Sequence, residues 1–277
     1  THIGFCFAEW DSQAFFQSWN ATNMFFTDLA AAFGPPPQNR YDSEQTLKRF
    51  WNWHKSIFFD QIWGMSGAIG FPQYGMEWGG QVAGMELTNH TSYIPHRTLL
   101  RLTAGAGRQY DKPWLLYLAY YLGKFSPDST RVMANKETKH WASGPDAGIS
   151  PSFARRTFMT AYFMGTNYLS FEAQPWGQAE TLPDGTVALN ANGKVLKEFY
   201  EWVRSPDGKR GDWYTPILLA ADYHHGQMRR NGWIWGYQIE LEKGDRMSEH
   251  INRAIDYYDG EAAAWDKPPY SHNLHNS

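Results

Sequence analysis

The chain has 277 residues, a formal net charge of −3 and no run of Lys or Arg longer than two, which excludes the basic stripe that a phosphate backbone requires. No apolar stretch approaches the ~20 residues of a membrane span, and no charged leader precedes an apolar core. Cys6 is the single cysteine, so neither an intrachain disulfide nor a cysteine-built metal site is expected.

Taken in chain order, His2 to Glu9 reads as a short strand, followed by a helix from a cap at Asp11 or Ser12 to Phe33 that Gly34-Pro35-Pro36-Pro37 stops. A second helix is expected from a Ser43 cap to about Gln61, because Leu47, Phe50, Trp51, His54 and Phe58 recur at helical spacing. A glycine-rich passage leads through Gly79-Gly80 into a buried strand, Gln81 to Leu87. A third helix is predicted from Thr91 to Tyr110. Pro113 then introduces the aromatic run Trp114 to Tyr121, a strand by length and composition. Ser150-Pro151 opens a helix to about Gly165, since proline is tolerated in a first turn. Thr166 to Phe171 is a further strand, and after a loop a helix covers Gly193 to Arg204. Ser205 to Asp212 reads as a linker, and Tyr214 to Tyr223 as the opening of a second α/β domain.

Apolar strands alternating with helices of ten to twenty residues imply βαβ units on a parallel sheet, hence an α/β class. Three of the four strands expected in the first 200 residues end in glutamate: Ala8-Glu9, Met85-Glu86 and Phe171-Glu172. In parallel barrels the C-terminal strand ends build the active site, and a carboxylate there must be paired or put to use. Glycosidic cleavage needs one carboxyl group to protonate the leaving oxygen and another to attack the anomeric carbon or activate water. Aromatic residues make up 17% of the chain, beyond what a core requires, and flat rings with a polar handle suit sugar faces. Trp10, Trp78, Trp114, Tyr117, Trp141 and Trp176 are the stacking candidates, with Asn89, His90, His96 and His140 to read hydroxyls or tune carboxyl groups.

Other patterns carry less. Glu77 in Met76-Glu77-Trp78 reads as a solvated helix-end carboxylate. Asp222 with His224-His225 lacks the i, i+4 spacing of helical zinc ligands, and no metal is expected. Gly105-Ala106-Gly107 follows a helix rather than a strand, so it fails as a dinucleotide loop. Arg210-Gly211-Asp212 is read as a coincidence within a linker. Asn20-Ala21-Thr22 and Asn89-His90-Thr91 match the glycosylation pattern.

Several segments together resemble the glycoside hydrolases in which a (β/α) barrel precedes a glutamine-amidotransferase-like domain, as in certain β-galactosidases. They are Val82-Ala83-Gly84-Met85-Glu86, Arg101 to Tyr110 leading to Lys112-Pro113-Trp114, Tyr168-Leu169-Ser170-Phe171-Glu172, and Lys197 to Arg204 passing into Thr215-Pro216-Ile217-Leu218-Leu219. Such enzymes commonly carry Asn-Glu at the acid/base strand, whereas Ala8 precedes Glu9 here. The resemblance implies the C-terminal part of a (β/α)8, TIM-like barrel over residues 1–205, and over 206–277 the start of a second, flavodoxin- or amidotransferase-like α/β domain. Both ends read as cuts within a longer protein. In that clan the catalytic glutamates sit three strands apart, which selects Glu9 and Glu172; if the four strands are the last of the barrel, Glu9 and Glu86 form the pair.

The expected activity is hydrolysis of an oligo- or polysaccharide, retaining in mechanism, without cofactor. Glu86 is expected as nucleophile or base, Glu9 as acid/base and Glu172 as a partner of the sugar hydroxyls. Two other readings stay open: a non-catalytic carbohydrate-binding or assembly protein on a degenerate barrel, and a polysaccharide lyase in which His or Tyr abstracts the proton α to a uronate carboxylate. The partners expected are carbohydrate, a second copy or the remainder of a longer chain, with neither nucleic acid nor membrane, in an extracellular or periplasmic setting.

Overall fold

The structure is a computed structural model that describes residues 5–7, 39–57, 62–66, 72–88, 96–119, 151–172, 178–216, 218–220, 223, 233–234 and 237–238. It is a mixed α/β fold with a small parallel sheet. Its strands are β1 (Phe5–Phe7), β2 (Ile62–Ser66), β3 (Val82–Thr88), β4 (Trp114–Ala119) and β5 (Tyr168–Glu172), hydrogen-bonded in that order. β1 and β2 pair in parallel with Cys6 opposite Trp63, and β2 and β3 with Gly64 opposite Ala83. No closed barrel forms among the described residues. The helices are α1 (Arg40–Ile57), α2 (Pro72–Glu77), α3 (His96–Gln109), α4 (Pro151–Phe163) and α5 (Ala191–Arg204). The chain divides into two compact units: Thr1–Glu86 with Tyr93–Leu115 and Pro216–Pro268, and Leu87–Ser92 with Leu116–Thr215 and Pro269–Ser277.

In the first unit, α1 starts one turn earlier than its composition suggests. Asn39, not Ser43, caps it: the Asn39 Oδ1 accepts from the Asp42 amide at 2.9 Å while its Nδ2 donates to the Asp42 carboxylate at 2.8 Å. The stripe Leu47, Phe50, Trp51 and His54 is buried as the spacing predicts. Full burial of each large apolar side chain on it stabilises by about 2 kcal/mol. Trp51 donates its indole N–H to the carbonyl of Trp78 at 3.2 Å, tying α1 to the turn after α2. β2 was not legible as a strand: Ile62-Trp63-Gly64-Met65-Ser66 sits beside a glycine-rich stretch and has a glycine at its centre, which weakens intrinsic strand preference. Its presence places one strand between β1 and β3 and four strand steps, not three, between β1 and β5.

Three helices hand over to their strands in the same way. α2 ends with the Gly80 amide on the Gly75 carbonyl at 2.8 Å and the Gly79 amide on Met76 at 3.2 Å. α3 ends with Lys112 on Gly107 at 2.8 Å and Asp111 on Arg108 at 3.4 Å, and α4 with Thr166 on Ala161 and Gly165 on Tyr162, both at 3.0 Å. Each is a closure in which a left-handed residue reverses the chain: Gly79 at φ +103°, Asp111 at +49° and Gly165 at +94°. In every case that residue stands three positions before the first residue of the next strand. The helix-to-strand unit is thus repeated, although no repeat is visible in the residue types.

In the second unit, α4 begins at Pro151 as expected, and α5 starts at Ala191, two residues before the predicted Gly193, because Asn190 caps it through the Gly193 amide at 2.9 Å. The two helices meet through rings: Phe158 to Phe199 at 5.5 Å, Tyr162 to Trp202 at 5.6 Å and Phe163 to Trp202 at 5.8 Å. Between β5 and α5 lies an antiparallel hairpin, β6 (Ala179–Thr181) and β7 (Val187–Leu189), where only a loop was expected. Pro183-Asp184-Gly185 turns it: Gly185 takes φ +84°, and Asp184 Oδ1 accepts from the Thr186 amide and hydroxyl at 2.9 and 2.7 Å.

The supposed linker is docked. Pro206–Gly208 forms a 3₁₀ turn with Gly208 buried, and its carbonyl accepts from the Tyr162 hydroxyl at 2.6 Å. Arg210 donates to the carbonyls of Tyr162 at 3.0 Å and Thr166 at 2.7 Å and covers the Tyr162 ring at 4.9 Å. These carbonyls lie at and just beyond the C-terminal end of α4, where a cation is favoured. Residues 214–216 and 218–220, read as part of the opening of a second α/β domain, form neither helix nor strand, and Leu218 is 92% exposed. A final antiparallel pair joins β8 (Trp233–Ile234) to β9 (Tyr237–Gln238).

Candidate functional site

Glu86 is the fifth residue of β3, toward its C-terminal end, and only 4% exposed. Val82, Ala83, Met85 and Leu87 of the same strand are also buried, so the strand is covered on both faces. Successive side chains alternate between faces, which puts Gly84 and Glu86 together. A side chain at 84 would meet the Leu115 side chain at 3.0 Å, so Leu115 of β4 lies on that same face. Trp114, 4% exposed, falls on the opposite face against Gly107 of α3, and is therefore parted from Glu86. Tyr117 is buried on β4 and belongs to the second unit.

Glu172 is the last residue of β5 and, with Tyr117, belongs to the second unit. Glu9, Trp10, Asn89, His90, His140, Trp141 and Trp176 lie outside the described residues, as do Asp222, His224 and His225. Of the three expected carboxylates, the structure therefore describes the burial of one, Glu86. Among the described residues no group of three or more His, Cys, Asp or Glu side chains is placed to hold a metal ion, and no helix is long and apolar enough to cross a membrane.

Glu44 and Glu77 both act on Tyr223, with Glu77 at the N-terminal end of β3. Glu77 closes α2 five residues before β3 begins, and Tyr110 stands four before β4. Burial, followed by the Glu44 and Glu77 carboxylates, holds the Tyr223 phenol well above its usual range, and burial with Glu77 does the same more weakly to Tyr110. Tyr74 stacks on Trp78 at 5.3 Å and an interplanar angle of 5°, meets Tyr223 edge-on at 5.3 Å, and donates its hydroxyl to the Tyr223 carbonyl. The Tyr223 phenol, kept protonated, donates a hydrogen bond to the Glu77 carboxylate. Conserving structure rather than chemistry is the usual role of the N-terminal rim in parallel α/β folds. Glu44 was not anticipated in this role. The signal was present, since an acid three residues before Leu47 falls on the buried stripe of α1.

His54, on that stripe, is buried between the Phe50 ring at 4.4 Å and the Trp53 ring at 4.5 Å. Its Nδ1–H donates to the Phe50 carbonyl at 3.0 Å. Desolvation lowers its pKa to about 4 against the opposing pull of that hydrogen bond, so the ring is neutral near pH 7. Comparison with protein-family models, with curated proteins and with solved structures finds no match to this chain.

Proposed function

We propose that the chain is a glycoside hydrolase of the (β/α)-barrel kind, its sheet the C-terminal part of the barrel, acting on an oligo- or polysaccharide outside the cytoplasm. Glu86 acts as nucleophile or base, Glu9 as acid/base and Glu172 as a partner of sugar hydroxyls. The observation that carries the reading is the burial of Glu86 toward the C-terminal end of a parallel strand. A carboxylate removed from water at that position is expensive unless it serves a reaction or a buried partner. The repeated helix-to-strand closure supports the barrel component, since such units recur around a barrel. A carboxylate buried in water-poor surroundings suits attack on an anomeric carbon or activation of one water.

The test is Glu86→Gln assayed by reducing-end release from a panel of plant and bacterial polysaccharides. A carboxylate used as nucleophile or base predicts a loss of on the order of 10³-fold or more in turnover. Unchanged turnover in Glu86→Gln would remove the proposal. Binding of a polysaccharide without turnover by the unaltered chain would turn it toward the non-catalytic reading.

A further inference from the structure

A groove of about 380 Å³ opens within the second unit, between the hairpin and α5. Its apolar floor is Leu189 and Leu196, and Tyr200, 41% exposed, supplies an accessible ring. Lys197, Glu201 and Arg204 form its charged edge. Lys197 and Glu201 approach to 3.7 Å and largely neutralise each other. Arg204 makes no ion pair among the described residues; its guanidinium stands 6.0 Å from the centre of the Tyr200 ring. Gln178 also lines the groove, and its buried Nε2 has no hydrogen-bond partner among them. The groove thus combines a flat ring, an apolar floor and one cation left over, at a volume suited to a small ligand.

We propose that this groove binds a carboxylate-bearing sugar unit, a uronate, with its ring face on Tyr200 and its carboxylate on Arg204. Arginine offers a planar pair of donors that matches a carboxylate, and the neighbouring ring accepts the C–H face that a pyranose presents. The helix end favours a cation at position 204 without needing it to face a groove, so the ring, the floor and the donor beside it are what point to a ligand. The proposal stands independently of the role given to Glu86, because it is a statement about binding alone.

Titration of the whole chain with glucuronate and with glucose, followed by ligand-observed NMR, tests it. Saturable glucuronate binding in the millimolar range is expected, at least tenfold tighter than glucose. Arg204→Gln and Tyr200→Ala are each expected to weaken it tenfold or more, Arg204→Lys to weaken it less, and Lys209→Gln, an exposed change outside the groove, to leave it unaltered. Circular dichroism verifies that each variant is folded. Equal affinity for glucose and glucuronate, indifference to Arg204→Gln in a folded variant, or no binding of glucuronate by the unaltered chain would each overturn the proposal.

Discussion

His54 shows how a titratable side chain can be part of a core. Its folded pKa of about 4 lies below the ordinary 6.5, so between those values the unfolded chain binds the proton that the folded chain refuses. The stability associated with the neutral ring is complete above pH 6.5 and is lost as pH falls toward 4, by up to about 3 kcal/mol. Urea unfolding at a series of pH values should show this loss, and His54→Gln should flatten that portion of the profile. Asp111 makes the opposite kind of point. It occupies a left-handed position that glycine fills at the ends of α2 and α4, and it places a negative charge where the α3 carbonyls already concentrate one. Asp111→Gly is therefore expected to stabilise by about 1 kcal/mol, and Asp111→Asn by less, measured as shifts in urea midpoint. Asp184, fully exposed, is held below the usual carboxylate range by the Thr186 hydroxyl and amide, which is the local signature of its turn.

At the scale of elements, helix faces were readable and helix beginnings were not. Leu47, Phe50, Trp51 and His54 announce α1 by period, and Pro151 announces α4 by its ring. The caps at Asn39 and Asn190 sit outside the apolar period and were passed over, though asparagine is among the best residues for that position. The Pro183-Asp184-Gly185 turn was legible in the same way and was read only as loop. Gly193 supplies a test of packing against propensity. A Cβ there would come within 2.0 Å of the Gln178 carbonyl, the same oxygen that accepts from the Asn190 amide. Helix propensity alone says that Gly193→Ala should stabilise by about 1 kcal/mol. The close approach predicts the reverse, a loss of more than about 2 kcal/mol read from thermal unfolding. Stabilisation would mean that α5 does not press on Gln178.

For the whole molecule the question is whether Glu86 serves chemistry or architecture, and stability separates the two. A buried carboxylate retained for a structural ion pair costs about 3–5 kcal/mol when its partner is left alone, so Glu86→Gln would lower the melting temperature sharply. A carboxylate kept for reaction is a burden on the fold, and Glu86→Gln would then leave stability unchanged or raised while turnover disappears. Differential scanning of the two proteins beside the activity assay distinguishes these outcomes. Composition, period and strand chemistry by themselves determined the α/β class, the apolar stripes, four of the five strands of the parallel sheet and the position of Glu86 toward the C-terminal end of β3, because these depend on residues close in sequence. Only the tertiary structure decided that a central-glycine segment pairs as β2, that residues 205–212 close over α4, that Trp114 turns away from Glu86 and that Glu44 and Glu77 both act on Tyr223. Each of these depends on which distant backbone or side chain supplies the missing hydrogen bond or contact, and that information is absent from any local window of the chain.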